Sequence, residues 1–95
     1  IFVAVDNYTS ATINGGGGAD SIIGILSISY HDASAHFVVN GGTGNDTVKT
    51  TDGNDLVHGN DGDDQLFGGG GNDTLYGDGG DDTVDGEFGD DVVFP

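Results

Sequence analysis

The sequence predicts an all-β protein in which short strands alternate with glycine-rich turns. From residue 41 onward, glycine, aspartate and a large apolar residue recur with a period of nine. The apolar position of each period lies in a short β-prone segment, and the glycines lie in the segments between these strands. The chain has no cysteine, so no disulfide framework is expected to hold it together.

The repeat consists of six consecutive nine-residue rows over residues 41–94: GGTGNDTVK, TTDGNDLVH, GNDGDDQLF, GGGGNDTLY, GDGGDDTVD and GEFGDDVVF. The fourth column is always glycine: Gly44, Gly53, Gly62, Gly71, Gly80 and Gly89. The sixth column is always aspartate: Asp46, Asp55, Asp64, Asp73, Asp82 and Asp91. The eighth column is always valine or leucine: Val48, Val57, Leu66, Leu75, Val84 and Val93. A fixed pattern of this kind indicates a repeat architecture.

The glycines and aspartates of each row predict a metal-binding turn. Five rows also begin with glycine: Gly41, Gly59, Gly68, Gly77 and Gly86. Glycine permits positive φ and close backbone approach, so such a turn can direct carbonyl oxygens inward. Calcium is bound by about six to eight carboxylate and carbonyl oxygens. We therefore predict that the glycines of columns one and four and the aspartates of column six bind calcium.

A further copy of the repeat, GGGGADSII, lies upstream at residues 15–23 and has Asp20 in its sixth column. We include Asp20 among the predicted calcium ligands. The preceding row, 6–14, keeps only Ile13 in its eighth column, and residues 24–40 do not fit the period.

This pattern resembles the RTX (repeats-in-toxin) calcium-binding family, whose repeat is G-G-x-G-x-D-x-U-x with U a large apolar residue. The resemblance covers residues 41–94 and the upstream copy. Row two departs from it, because Thr50 and Thr51 replace the first two glycines. In three other rows the second glycine is replaced: Asn60, Asp78 and Glu87.

The resemblance implies a right-handed parallel β-roll, a form of β-solenoid, with calcium in its turns. Two rows would form one coil, and each calcium ion would bridge a row and the next row but one. The implied aspartate pairs are Asp46 with Asp64, Asp64 with Asp82, Asp55 with Asp73, and Asp73 with Asp91. This arrangement implies about four calcium ions, or more if Asp20 takes part.

Charge excludes several other functions. The chain has 17 acidic residues and a single base, Lys49, for a net charge of -16. Such a chain cannot neutralise nucleic-acid phosphates, and an anionic membrane surface would repel it. No apolar run approaches the roughly 18 residues that a membrane span needs. Acidic, glycine-rich chains can be disordered, but the periodic aspartates favour a folded, metal-loaded state.

Other chemistries fit the sequence poorly. An EF-hand needs a bidentate glutamate at the end of its loop, and the only glutamate is Glu87. His31, His36 and His58 have a spacing that suits no common zinc site, so we interpret them as surface or packing residues. Because the repeat or a turn accounts for every aspartate, we predict that the protein is not an enzyme.

Residues 1–40 are β-rich in a different style, and two interpretations remain open. They could form a β-rich N-terminal cap, because solenoids need an atypical unit over an open end. Alternatively, the apolar strand Ile1–Val5 could leave its own molecule and pair with a neighbour's sheet edge. The repeats continue to Phe94, which predicts an uncovered last coil.

The outward columns seven and nine predict two different sheet faces. Rows one, three and five present mostly polar residues: Thr47, Lys49, Gln65, Phe67, Thr83 and Asp85. Rows two, four and six present more apolar ones, here called the even-row face: Leu56, His58, Thr74, Tyr76, Val92 and Phe94. Contiguous apolar patches usually mark contacts. Three interpretations remain: residues 1–40 fold back over this face, its scattered aromatic residues stack without a partner, or another subunit docks there.

Together these features predict a calcium-folded, extracellular or cell-surface bacterial module without catalytic activity. One possible role is structural: a self-associating unit of a surface layer, fibre or adhesin, assembled through the even-row face and the Ile1–Val5 strand. The alternative role is a folding and secretion module attached to a larger RTX enzyme or toxin.

Overall fold

The computed structural model describes residues 2–6, 11–27 and 36–95. These residues form ten strands and no helix. The strands are β1 (Phe2–Asp6), β2 (Ala11–Gly17), β3 (Ser21–Ser27), β4 (Phe37–Thr43), β5 (Thr47–Lys49), β6 (Leu56–Asp61), β7 (Gln65–Phe67), β8 (Thr74–Tyr76), β9 (Thr83–Asp85) and β10 (Val92–Phe94). From β5 onward, each strand contains columns seven to nine of a row, which confirms the predicted alternation of turn and strand.

The strands form two five-stranded sheets, and the chain passes from one sheet to the other with each successive strand. The odd sheet has the order β1-β3-β5-β7-β9, and the even sheet has the order β10-β8-β6-β4-β2. Every pair of neighbouring strands is parallel. This arrangement confirms the predicted β-roll, because two rows complete one coil and coils stack through parallel strands.

The register of the regular coils is two rows of the repeat. Val48 lies opposite Leu66 in the odd sheet, and Val57 lies opposite Leu75 in the even sheet. Equivalent columns of alternate rows therefore lie directly above one another, so each column forms a ladder along the roll.

The core is a double ladder of column-eight side chains between the two sheets. Six of these residues are less than one-tenth exposed: Ile22, Val48, Leu66, Val57, Leu75 and Ile13. At the last coil the prediction of a buried column eight is only partly correct, because Val84 is half-buried and Val93 is 39% exposed. Strand β10 ends its sheet, so no further coil covers Val93.

Residues 37–40 return to the repeat register although their sequence lacks its glycines and aspartate. Val39 pairs with Val57 on one side and with Ile13 on the other, and it is fully buried. Between the copy at 15–23 and row one, paired residues are separated in sequence by more than two rows, since Ile22 lies opposite Val48. The extra residues lie between β3 and β4, and the column positions recover after them.

Strand β1 lies at the edge of the odd sheet of its own molecule and pairs with β3, with Phe2 opposite Ile23. Ile1 lies outside the described residues. Strand β1 thus pairs within its own molecule and not with the sheet edge of a neighbour. The division of the chain into a cap over 1–40 and a roll over 41–94 stays a prediction.

Candidate metal centre

The turns before each strand have the backbone shape that inward-facing carbonyls need. Column four has positive φ in every row, for example 106° at Gly44. Column two also has positive φ in three rows where another residue replaces glycine, with 72° at Asn60, 70° at Asp78 and 69° at Glu87. Because L-residues rarely occupy this region, its repeated use indicates that the stacked turns require it.

The column-four glycines allow successive turns to approach closely. A side chain at Gly62 would collide with the carbonyl of Gly44, and the same collision recurs at Gly71, Gly80 and Gly89 with the glycine carbonyl two rows earlier. Close stacking explains these glycines without a ligand role. Their predicted role as calcium ligands stays a prediction.

The column-six aspartates of rows one, three and five form a buried ladder, here called the odd stack. The amide of Asp46 donates to Oδ1 of Asp64 at 2.8 Å, and the amide of Asp64 donates to Oδ1 of Asp82 at 2.9 Å. The ladder also extends upstream, because the amide of Asp20 donates to Oδ1 of Asp46 at 2.9 Å. The copy at 15–23 therefore lies directly on row one, and the structure adds an Asp20–Asp46 pair to those that the sequence implied.

Rows two, four and six form an equivalent ladder, here called the even stack. The amide of Asp55 donates to Oδ1 of Asp73 at 2.8 Å, and the amide of Asp73 donates to Oδ1 of Asp91 at 2.9 Å. The first donor of this stack is the amide of Phe37, which lies 2.7 Å from Oδ1 of Asp55. Phe37 thus occupies a column-six position, and the stack has no carboxylate there.

The second carboxylate oxygen is buried without a hydrogen bond in most members of the two ladders. Oδ2 is buried and makes no hydrogen bond in six of these residues: Asp20, Asp46, Asp55, Asp64, Asp73 and Asp82. An unpaired buried carboxylate oxygen carries a large desolvation penalty. A repeated set of such atoms therefore fits bound cations.

Carboxylate and carbonyl oxygens converge beside the first-column glycine in four copies of the repeat. A Cβ at Gly41 would stand 2.6 Å from Oδ2 of Asp46 and 2.7 Å from the carbonyl oxygen of Gly59. A carboxylate oxygen and a carbonyl oxygen from the next coil thus converge on one point, which we call a cradle. Three other first-column glycines make the same cradle: Gly15 with Gly41, Gly59 with Gly77, and Gly68 with Gly86.

The donor set of a cradle suits calcium. Carboxylate and carbonyl oxygens are the ligands that calcium prefers. Within the described residues no group of three or more histidine, cysteine, aspartate or glutamate side chains converges, so a cation in a turn has to draw on backbone carbonyls as well.

Comparison with protein families gives one match. The family model for the RTX calcium-binding nonapeptide repeat matches residues 10–24, 40–75 and 58–93, which is more than half of the chain. This chain belongs to the RTX calcium-binding repeat family. Comparison with curated proteins and with solved structures gives no match.

Membership of the RTX family establishes calcium binding as the chemistry of these turns. Among the residues that the structure describes, no helix is long and apolar enough to cross a bilayer.

Burial raises the pKa of three RTX ladder carboxylates. The pKa of Asp73 rises to about 7, mainly through loss of hydration, and the amide of Asp55 offsets part of this rise. The pKa of Asp55 rises to about 6 for the same reason and is lowered in part by the amide of Phe37. Burial also raises the pKa of Asp64. Because these pKa values are raised, protons compete with calcium for the carboxylate oxygens.

Column-five residues form hydrogen-bonded ladders of their own, which the sequence did not lead us to predict. In the odd stack, the amide of Asp63 donates to Oδ1 of Asn45, and the amide of Asp81 donates to Oδ1 of Asp63, each at 2.9 Å. In the even stack, Asn72 bonds to Asn54 in the same way at 2.8 Å. These bonds run in the opposite direction to those of column six. The signal was present, because column five is asparagine or aspartate in all six rows.

His58 packs against an aromatic ring. The ring of His58 stacks on Tyr76 with centroids 4.4 Å apart, and Nδ1 of His58 lies 3.1 Å from Oδ2 of Asp78. His36 lies next to β4, and His31 lies outside the described residues. This placement of His58 agrees with its interpretation as a packing residue of the ninth column.

Proposed function

We propose that this chain is a calcium-folded structural module of the bacterial cell exterior, without catalytic activity. The observation that supports the proposal is the double ladder of buried carboxylates with unpaired Oδ2 atoms. In the open cradles this oxygen faces a carbonyl of the next coil, so a calcium ion would join two successive coils.

Charge makes calcium the controlling variable for folding. The chain carries a net charge of -16, and folding brings column-six carboxylates into stacked, buried turns. Their mutual repulsion and desolvation oppose folding, and a bound cation reverses both. The free energy of calcium binding would therefore serve as folding free energy.

Circular dichroism of the chain with and without chelator tests this proposal. We expect a largely disordered chain in chelator and a β-rich chain at millimolar calcium, because extracellular calcium modules have Kd values of about 10⁻⁴–10⁻³ M. Magnesium is the matched control and should not restore the β spectrum, since it needs a smaller octahedral site. The same β spectrum in chelator as in calcium would refute the proposal.

Self-association through the even-row face is the second part of the proposal. His58, Tyr76 and Phe94 form a continuous stack on this face, with centroid distances of 4.4 and 4.7 Å. At its end Val92 and Phe94 are 49% and 47% exposed. Planar apolar surface of this kind favours a second copy of the chain as the occupant, because flat sheet faces pack on one another.

Light scattering in calcium tests self-association. We expect the pair Leu56→Asp with Tyr76→Asp to bind calcium and to remain monomeric while the parent assembles. The matched control is Gln65→Asp with Thr47→Asp, which adds the same charge to the odd sheet and should assemble like the parent. A monomeric parent would refute self-association and favour a folding and secretion module attached to a larger RTX enzyme or toxin.

A further inference from the structure

Row two differs from the other repeat rows at its first position, where Thr50 replaces glycine. Its hydroxyl donates a hydrogen bond of 2.7 Å to the carbonyl oxygen of Gly68. Thr50 is only 5% exposed, so this hydroxyl belongs to the interior of the turn.

The carbonyl oxygen of Gly68, which Thr50 binds, is equivalent to the carbonyl oxygen of a cradle. Gly68 lies two rows after Thr50 in the first column, just as Gly59 lies two rows after Gly41. In the Gly41 cradle a Cβ would stand 2.7 Å from the carbonyl oxygen of Gly59. In row two the Cβ and hydroxyl of Thr50 lie at the equivalent position.

The carboxylate of row two keeps its ladder bond. Asp55 donates its amide to Oδ1 of Asp73 at 2.8 Å, as the other ladder members do. Its Oδ2 is buried and has no hydrogen-bond partner of standard geometry, but the side chain of Thr50 lies near enough to this carboxylate to lower the pKa of Asp55 in part. The difference of row two therefore lies at column one, where threonine replaces glycine.

The backbone of row two departs from the other turns as well. Column two has positive φ in its neighbours, with 105° at Gly42 and 85° at Gly69, but Thr51 lies outside that region. A β-branched residue strongly disfavours positive φ. The turn around Thr50 and Thr51 thus has a shape that the calcium turns do not share.

We infer that the side chain of Thr50 takes the place of a calcium ion between Asp55 and Asp73. This inference rests on the proposed calcium function and specifies which turns carry it out. Among the described turns, complete cradles remain at Gly15, Gly41 and Gly59 in the odd stack but only at Gly68 in the even stack. Calcium binding is therefore concentrated on one side of the roll.

The upstream end of the even stack supports the same asymmetry. Phe37 occupies column six of the preceding coil and is fully buried, and its amide binds Oδ1 of Asp55. A phenylalanine ring supplies no oxygen ligand. Asp55 thus lies between an apolar residue and a threonine-filled cradle, and the even stack begins to bind calcium only after it.

The inference predicts a gain of one ion when row two is converted to the repeat consensus. We expect Thr50→Gly with Thr51→Gly to bind one more calcium ion than the parent in native mass spectrometry at saturating calcium. The matched reverse change is Gly41→Thr, which we expect to bind one ion fewer. Gly41 is outside the left-handed region, but a Cβ there would lie 2.7 Å from the carbonyl oxygen of Gly59, so circular dichroism in calcium has to show first that this variant folds.

Thr50→Ser supplies a control that retains the hydroxyl and should bind as many ions as the parent. An unchanged ion count in the double glycine variant, or an undiminished count in Gly41→Thr, would overturn the inference. A parent that binds no calcium would instead refute the proposed function. Because the parent is measured alongside the variants, the two failures are distinguishable.

Discussion

The amide of Asp46 donates a hydrogen bond of 2.8 Å to Oδ1 of Asp64, and both side chains are about 1% exposed. This single contact joins two coils, directs each carboxylate into its turn and leaves Oδ2 for a cation. Because the contact recurs along both stacks, the calcium sites and the coil-to-coil contacts share the same residues. Loss of one aspartate should therefore weaken metal binding and stacking together.

A ladder aspartate between two open cradles should matter more than one at the end. Asp64 follows the Gly41 cradle and forms part of the Gly59 cradle, whereas Asp91 lies in the last coil. We expect Asp64→Ala to raise the calcium midpoint of folding about 10-fold or more, and Asp91→Ala to raise it by a few-fold at most. Calcium titrations followed by circular dichroism measure both midpoints, and equal shifts would contradict the bridging arrangement.

The metal-free chain should become more stable as the pH falls. The folded-state pKa values of Asp55 and Asp73, about 6 and 7, lie above the ordinary value of 3.8. Their protonation therefore favours the folded state, and this contribution is lost as the pH rises through these values. Circular dichroism in chelator should show more β structure at about pH 5 than at about pH 8.

A double variant is the matched control for this pH effect, and calcium should reverse the effect. Asp55→Asn with Asp73→Asn removes both titrations and should flatten the profile in chelator. In calcium the trend should reverse, because protons compete with the cation for carboxylate oxygens. An identical profile for the parent and the double variant in chelator would show that other groups cause the pH effect.

Column eight should stabilise the roll according to burial. Val57 is fully buried, and Val93 in the same column is 39% exposed. We expect Val57→Ala to lower the free energy of unfolding by about 1–3 kcal/mol, and Val93→Ala to lower it by less than half as much. Urea denaturation in saturating calcium gives both values. Equal losses would mean that the last coil is covered in solution.

Glycine at column two should relieve backbone strain. Glu87 has a φ of 69° and an exposed side chain. We expect Glu87→Gly to stabilise the calcium-loaded fold by about 1 kcal/mol, because the left-handed conformation costs other residues roughly this amount. Thermal unfolding measures the effect, and Glu87→Gln is the control that removes the charge but keeps the strain. Equal stabilisation by both changes would assign the effect to charge.

The sequence by itself determined the features that repeat every nine residues. The glycines predicted the turns, Val48 and Leu66 predicted the buried column, and the column-six aspartates predicted metal-binding turns. Each of these follows from a local constraint, since positive φ, β propensity and an inward side chain are properties of one row. The resemblance to RTX repeats then supplied the two-row coil.

The tertiary structure decided what depends on contacts between coils. Residues between β3 and β4 break the period, so no spacing showed that Asp20 lies above Asp46 or that Phe37 occupies a column-six position. Thr50 was visible as a departure, but only the stacked carbonyl of Gly68 gives its hydroxyl a partner. Periodicity fixes the conformation within a row, whereas stacking across an irregular segment depends on packing between residues far apart in the chain.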